Sequence, residues 1–263
     1  MHGLGTVYIR TGRSDLARET LLLGLTEAEN AVDLLMQGRL LNNLAIEAKD
    51  RREFAEARAL IARAILAHAI LAHSEADAGE LPGQLPAALA NIDMAEGKFD
   101  QADKHLQNAL TAFRALGDRR NEAMMLNNAD YLRRQQGRLD EAEPMHLQSL
   151  EIRREIGDLV GQGRTLGMLS IVYEKNGRLD EAREAAAEAL RIASTANDKL
   201  FIASSLAQLA EVEQSAGDAA KSVELMESAQ AFAEDDWSEM DATTLAQYRA
   251  ALGEDRKPLM TKS

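Results

Sequence analysis

Two asparagine pairs, Asn42-Asn43 in RLLNNLA and Asn127-Asn128 in MMLNNAD, each follow a leucine inside a segment that otherwise reads as helix. Asparagine costs a helix interior roughly 0.5–0.7 kcal/mol against alanine, so four of them at two matching places ask for a purpose. A carboxamide donates and accepts hydrogen bonds at once, which suits it to holding a peptide backbone. Other residues imitate reactive chemistry less well. GQGRTLG at 161–167 has the glycines of a phosphate loop, but no strand precedes it. His68 and His73, with Glu75 near, are five residues apart and fall on different faces of one helix, and no third metal ligand accompanies them. His2, His105 and His146 are scattered. No serine sits in a nucleophile elbow, and the acid-rich DEA turns read as caps and solvated faces. The sequence therefore points to no catalytic residue, no metal site, no cofactor and no enzymatic activity.

Composition sets the frame that must position these side chains. Of 263 residues, 46% are apolar but only 4% aromatic, and alanine and leucine supply most of the apolar content. With few β-branched runs and four prolines, an all-α chain is expected. The formal net charge of −13 repels phosphate backbones, which argues against nucleic acid as a partner. There is no cysteine, hence no disulfide framework and no thiolate, which suits a reducing compartment. MHGLGTVYIRTGRSDLAR lacks the layout of a signal peptide. The longest apolar stretch, ALIARAILAHAILAH, is interrupted by Arg63, His68 and His73, so no membrane span is expected and the cytoplasm is the expected location.

The chain repeats. EGKFDQADKHLQNAL, QGRLDEAEPMHLQSL and NGRLDEAREAAAEAL align at a spacing of 40, with Gly97, Gly137 and Gly177 in register and Gly217 and Gly12 continuing the series. Arg52 takes the glycine's place in the second repeat, which is followed by five extra residues. Eight positions before the turn residue stand Leu4, Leu44, Leu89, Ala129, Leu169 and Leu209; the next position is small except at Asp130. Five positions after it stand Ala17, Ala57, Ala102, Ala142, Ala182 and Ser222, and thirteen after it a leucine or isoleucine in five of six repeats, anchoring the second helix. Small residues at fixed depth in both helices of a hairpin allow close approach. Asp15, Asp100, Asp140 and Asp180, three residues past the turn, are placed to cap the second helix.

This pattern resembles the tetratricopeptide repeat (TPR): its leucine-then-small pair, a tyrosine three residues on (Tyr8 and Tyr173), the turn glycine and the later alanine all fall in register. The 40-residue period, with Gly117-Asp118 and Gly157-Asp158 links, is most similar to the longer variety of kinesin light chains and bacterial signalling proteins. The usual closing proline is absent, and leucines such as Leu41, Leu126, Leu166 and Leu206 replace the early tryptophan. The resemblance implies a right-handed α-α superhelical solenoid of about six hairpins plus a C-terminal cap helix. Its units would span about 1–37, 38–82, 83–122, 123–162, 163–202 and 203–237, with the cap over 238–252 and a flexible tail over 253–263. SEMDATTLAQYRAAL, which opens on a Ser-x-x-Asp cap, supports the cap helix. The insertion HSEADAGELPGQLP lengthens the second helix of repeat two or loops out before repeat three, whose first helix Pro86 would help start.

In a TPR array the first helices line a concave groove. At about 100° per residue, Asn42 and Asn127 then point into it, as do Arg39, Asn91, Tyr131, Arg134 and Arg164. Asn43 and Asn128 lie at its margin, and Met168 can add apolar contact. The groove asparagines of the family hold extended peptides, so the resemblance implies a non-catalytic scaffold or adaptor for a protein or peptide segment. A purely structural use of the asparagines, bonding between adjacent helices, is the competing reading. The arginines favour a ligand that is acidic or carries a free carboxylate. Two other readings stay open: the regulatory C-terminal region of a larger signalling protein, and a structural module. Met1 falls where a full first helix would already be under way, which suggests a longer protein, a slightly short helix, or self-association through the open N-terminal end, for instance as a homodimer.

Overall fold

A computed structural model describes residues 2–73, 81–136, 138 and 141–233, the side chains of His2, Arg10, His73, Arg134 and Ala233 excepted. Among these residues there are twelve α-helices and no strand. They are α1 (His2–Arg10), α2 (Ser14–Asn30), α3 (Leu34–Asp50), α4 (Phe54–His73), α5 (Leu81–Ala95), α6 (Phe99–Leu116), α7 (Arg119–Gln135), α8 (Ala142–Glu155), α9 (Leu159–Lys175), α10 (Leu179–Ala196), α11 (Lys199–Ser215) and α12 (Ala219–Ala233). The chain forms two compact units, residues 1–138 and 139–263. The first holds three hairpins and α7; the second holds α8 and two hairpins. In each, consecutive helices pack antiparallel and first helices touch first helices, α1 against α3, α3 against α5, and α9 against α11. The expected cap helix and tail, the Gly137 turn, Asp140 and residues 74–80 of the insertion lie outside the described residues.

The small positions explain why the hairpins close tightly. Ala17, Ala57, Ala102, Ala142, Ala182 and Ser222 are all completely buried. A third small column appears in the first helices at Gly38, Gly83, Ala123, Gly163 and Ala203, all buried. A Cβ on Gly83 would lie 2.3 Å from the Phe113 ring, and one on Gly163 would lie 2.8 Å from Phe201 and 2.9 Å from Ile192. In GQGRTLG, Gly161 likewise leaves room for the Arg153 guanidinium and the Asp158 carboxylate. Two of those three glycines thus serve helix packing, whereas at Gly167 a Cβ would meet open space. Two expected core positions differ. Leu4 is half exposed because no described helix covers that side of α1. Ile65, at the anchor position of α4, is also exposed, because α4 buries Leu60, Ile61, Ala64, Ala67 and Leu71, a face one residue out of phase.

The aspartates do not cap where the sequence suggested. The second helices begin two residues past the turn, so Asp15, Asp100 and Asp180 are the second helical residue; α2, α6 and α10 have no side-chain cap. These acids act on the positive end of the helix dipole instead. Capping falls mainly to the links between hairpins, although Asp218 accepts the Lys221 N–H at 3.0 Å at the start of α12. Asp33, Asp118, Asp158 and Asp198 accept the backbone N–H of Met36, Asn121, Gly161 and Phe201 at 2.9–3.1 Å and start each first helix there. The first helices therefore begin at Leu34, Leu81, Arg119, Leu159 and Lys199, two to four residues before the sequence boundaries. Pro86 does not start a helix either: it lies inside α5, and Pro82 occupies the first turn. Part of the insertion lengthens α4 to 20 residues.

Among the described residues, nine of the helices are followed by a residue of left-handed conformation. Glycine supplies it at the Gly12, Gly97, Gly177 and Gly217 turns and at the Gly117 and Gly157 links, but Arg52 (φ 64°), Val32 (φ 55°) and Asn197 (φ 52°) do so elsewhere. A β-branched residue is the worst choice there. Relieving about 1–2 kcal/mol of left-handed strain outweighs glycine's added chain entropy, so Val32→Gly is expected to stabilise by roughly 0.5–1 kcal/mol. Val32 is 74% exposed, so the change removes no packing. A higher urea midpoint at unchanged slope checks this; an unchanged or lower midpoint refutes it.

Candidate functional site

The first unit contains a concavity of about 390 Å3 built from first helices. α1 contributes Thr6; α3 contributes Arg39, Asn42, Asn43 and Ile46; α5 contributes Gln84, Ala87, Ala88 and Asn91; and α7 contributes Asn121, Met124 and Met125, with Phe113 of α6 behind. These positions share a face because 39, 42, 43 and 46 are spaced by one helical turn, and 84, 87, 88 and 91 repeat that spacing on α5. Amides on α3 and α7 flank an apolar floor of Ala87, Ala88, Phe113 and Met125.

Four of the ten candidate residues, Arg39, Asn42, Asn43 and Asn91, line this concavity. Asn42 is 7% exposed and its Oδ1 has no hydrogen-bond partner. Leaving a buried acceptor empty costs about 1–3 kcal/mol. Asn43 instead donates from Nδ2 to the Thr6 hydroxyl at 3.1 Å, tying α3 to α1. Arg39 is half buried and has no ion-pair partner among the described residues. It is the only charged side chain among the described residues of the lining, on a chain with 43 acidic residues. Asn127 and Asn128 are half buried and Tyr131 exposed on α7, outside this lining. The side chain of Arg134 lies outside the described residues. In the second unit, Arg164 and Met168 stand one turn apart on α9 and are exposed, with Arg164 over the Phe201 ring at 5.7 Å. Thr6, Gln84, Asn121, Met124, Met125 and Phe113 were not singled out from sequence. Carrying the offset of Arg39 from its turn through the other repeats reaches Gln84 and Met124.

Within each unit, charged side chains join successive repeats. The residue six past each of the first five turns pairs with the following first helix or its turn: Arg18 with Glu47 (3.0 Å), Arg58 with Asp93 (2.5 Å), Asp103 with Arg133 (2.9 Å), Glu143 with Arg178 (2.7 Å) and Arg183 with Glu213 (3.0 Å). Glu47, Asp93, Arg133 and Glu213 are buried. Asp93 also meets His105 Nδ1 at 2.6 Å, and Arg58 additionally pairs with Glu96. At the fourth junction Tyr173 occupies the first-helix position and Arg178 lies over its ring at 4.4 Å. The Arg58 and Arg183 guanidiniums hold the Glu96 and Glu213 carboxyls below the usual carboxylate range. Among the described residues, no His, Cys, Asp and Glu side chains group in a way that could hold a metal ion, and no helix is long and apolar enough to cross a membrane.

Antiparallel helix pairs of 40-residue period, closed by small residues and a left-handed turn, define a helical-hairpin repeat protein. The tetratricopeptide repeat model matches residues 84–155, 122–195 and 164–235, more than half of the sequence, and the chain belongs to that family. No curated protein matches the chain. Among solved structures, it is similar to BtubC (BKLC) from P. vanneervenii, at 18% identity and a TM-score of 0.68 over 95% of this chain and 96% of that one. It is also similar to a signal transduction ATPase with numerous domains (STAND) protein with a tetratricopeptide repeat sensor from Pyrococcus horikoshii, at 14% identity and a TM-score of 0.74 over 96% of this chain and 38% of that one. A third is a Rap protein complexed with Competence and Sporulation Factor, at 17% identity and a TM-score of 0.67 over 96% and 74%.

Proposed function

We propose that the chain is a non-catalytic binding module of the cytoplasm that holds an extended protein or peptide segment, with the concavity of the first unit as its principal contact. The observation that carries this reading is the unpartnered Asn42 carbonyl beside Arg39, which has no ion-pair partner among the described residues, in a lining whose described residues include no carboxylate. Such a site calls for a ligand that brings an N–H to Asn42 and a carboxylate, from an acidic side chain or a chain end, to Arg39. The apolar floor takes a neighbouring aliphatic side chain. The family membership and the Rap complex with Competence and Sporulation Factor support the class of function. The likeness to part of a STAND protein with a tetratricopeptide repeat sensor supports a second reading, in which the same concavity reports to a larger signalling protein.

Selection from a random heptapeptide display library, followed by fluorescence anisotropy on the winners, tests the first reading. Peptides carrying Asp, Glu or a free C-terminus are expected, and Arg39→Ala should weaken them by about 10- to 100-fold, the loss of a hydrogen-bonded ion pair worth about 1.5–3 kcal/mol. Winners bound equally by Arg39→Ala and Asn42→Leu would sink it.

A further inference from the structure

The outward face of α4 departs from that of every other second helix. Its exposed residues are Ala55, Ala59, Ala62, Arg63, Ile65, Leu66, Ala69, Ile70 and Ala72, and Arg63 is the only charged one among them. Ile65, Leu66 and Ile70 are 44%, 64% and 50% exposed. The corresponding surface of α6 carries Gln101, Lys104, Gln107, Asn108, Thr111 and Arg114, and that of α10 carries Glu181, Glu184 and Arg191. Arg63 is itself neutralised by Glu29 of α2 at 2.8 Å. That contact and Arg18–Glu56 hold α2 alongside α4. Leu22, one turn from Arg18 and 45% exposed, extends the apolar surface onto α2.

We infer that this face docks a second copy of the chain, the two α4 helices lying antiparallel about a two-fold axis between residues 62 and 63. The order of side chains along the helix supports this occupant. The N-terminal half of the stripe is small (Ala55, Ala59, Ala62) and the C-terminal half large (Leu66, Ile70). Antiparallel pairing about that axis sets Leu66 against Ala59 and Ile70 against Ala55 of the copy, at both ends at once, as an isologous contact demands. Large into small is also what lets two helices approach closely. A chain of net charge −13 repels its own copies, and α4 is where that repulsion is absent. The area suffices: a 20-residue helix is about 30 Å long and 10 Å wide, and with an equal strip of α2 the pair buries about 1,200 Å2, the lower end for a stable dimer.

Light scattering of the full chain at about 100 µM should give twice its 28.7 kDa, falling to 28.7 kDa on dilution into the micromolar range. Leu66→Glu/Ile70→Glu should give the single-chain mass at every concentration, with unchanged helical circular dichroism. The absence of native cysteine allows a second measurement that needs no disruption. Ala59→Cys mixed with Leu66→Cys should form a disulfide-linked pair. Ala59→Cys alone should not, because residue 59 would lie about 10 Å from its own copy, beyond the reach of a disulfide. A single-chain mass at about 100 µM overturns the inference. So does a dimer that survives Leu66→Glu/Ile70→Glu or yields to Val7→Glu, which would move the contact to the N-terminal end.

Discussion

Phe113→Ala is expected to cost about 3–5 kcal/mol, the largest loss from any single side chain discussed for this protein. Phe113 is 1% exposed, its ring seated against the bare backbone of Gly83, and it forms the back of the first unit's concavity. Truncation leaves a void that α5 and α6 cannot close without moving the turn between them. The pairing with Gly83 makes the mechanism checkable. In the parent, Gly83→Val forces carbon atoms to within 2.3 Å of the ring and should cost about 1–3 kcal/mol by overpacking. In the Phe113→Ala background the added methyls enter the void, so the double variant should lose clearly less than the two single losses combined. Urea denaturation followed by circular dichroism measures all three; additive losses would show that ring and glycine do not constrain one another.

Glu213→Ala should cost about 2–3 kcal/mol. Its carboxylate is 2% exposed and accepts from Arg183 Nε and Nη2, each at 3.0 Å, and from Lys221 at 2.6 Å. The loss stays at the lower end of that for broken buried ion pairs because Arg183 and Lys221 are 36% and 47% exposed and regain water. In a repeat protein such a loss falls on the coupling between neighbours, so the α11–α12 hairpin should unfold ahead of the hairpin before it. The same carboxylate predicts a pH signature. Arg183 holds its folded pKa below the ordinary 4.5, so its stabilisation is complete above that value and is lost as pH falls through the folded pKa. Between about pH 4.5 and 2 the parent should lose stability more steeply than Glu213→Gln. Parallel curves would mean the carboxylate stays solvated in the folded chain.

What was legible in the sequence is what recurs at one offset with one residue type. The alanines five past each turn recur, and they are the completely buried contacts between helices. The glycine turns recur, which made Arg52 visible as an exception. The aspartates three past the turn also recur, but spacing alone does not say where a helix begins, and a start two residues earlier changes a cap into a first-turn charge. The caps of the first helices, Asp33, Asp118, Asp158 and Asp198, sit in links of differing sequence, of which only Gly117-Asp118 and Gly157-Asp158 look alike. The ion pairs between hairpins were illegible for a different reason. Their partners are 29 to 35 residues apart and change sign along the chain, so no single residue type holds through the series at either position. For the site, helical phase brought Arg39, Asn42, Asn43 and Asn91 together, whereas the bond from Asn43 to Thr6 depends on how closely α1 and α3 approach.

That change of sign limits how such a chain could gain or lose repeats during its history. Arg18 and Arg58 offer a cation to acids that follow, Asp103 and Glu143 offer an acid to Arg133 and Arg178, and Arg183 reverts to the first pattern. Excising the second sequence repeat would bring Arg18 to Asp93, and excising the fourth would bring Asp103 to Arg178, both matched pairs. Excising the third would set Arg58 against Arg133, and excising the fifth would set Glu143 against Glu213. Repeats that look interchangeable by length and by their alanines are therefore not equally dispensable, and the third and fifth are the ones whose order is locked.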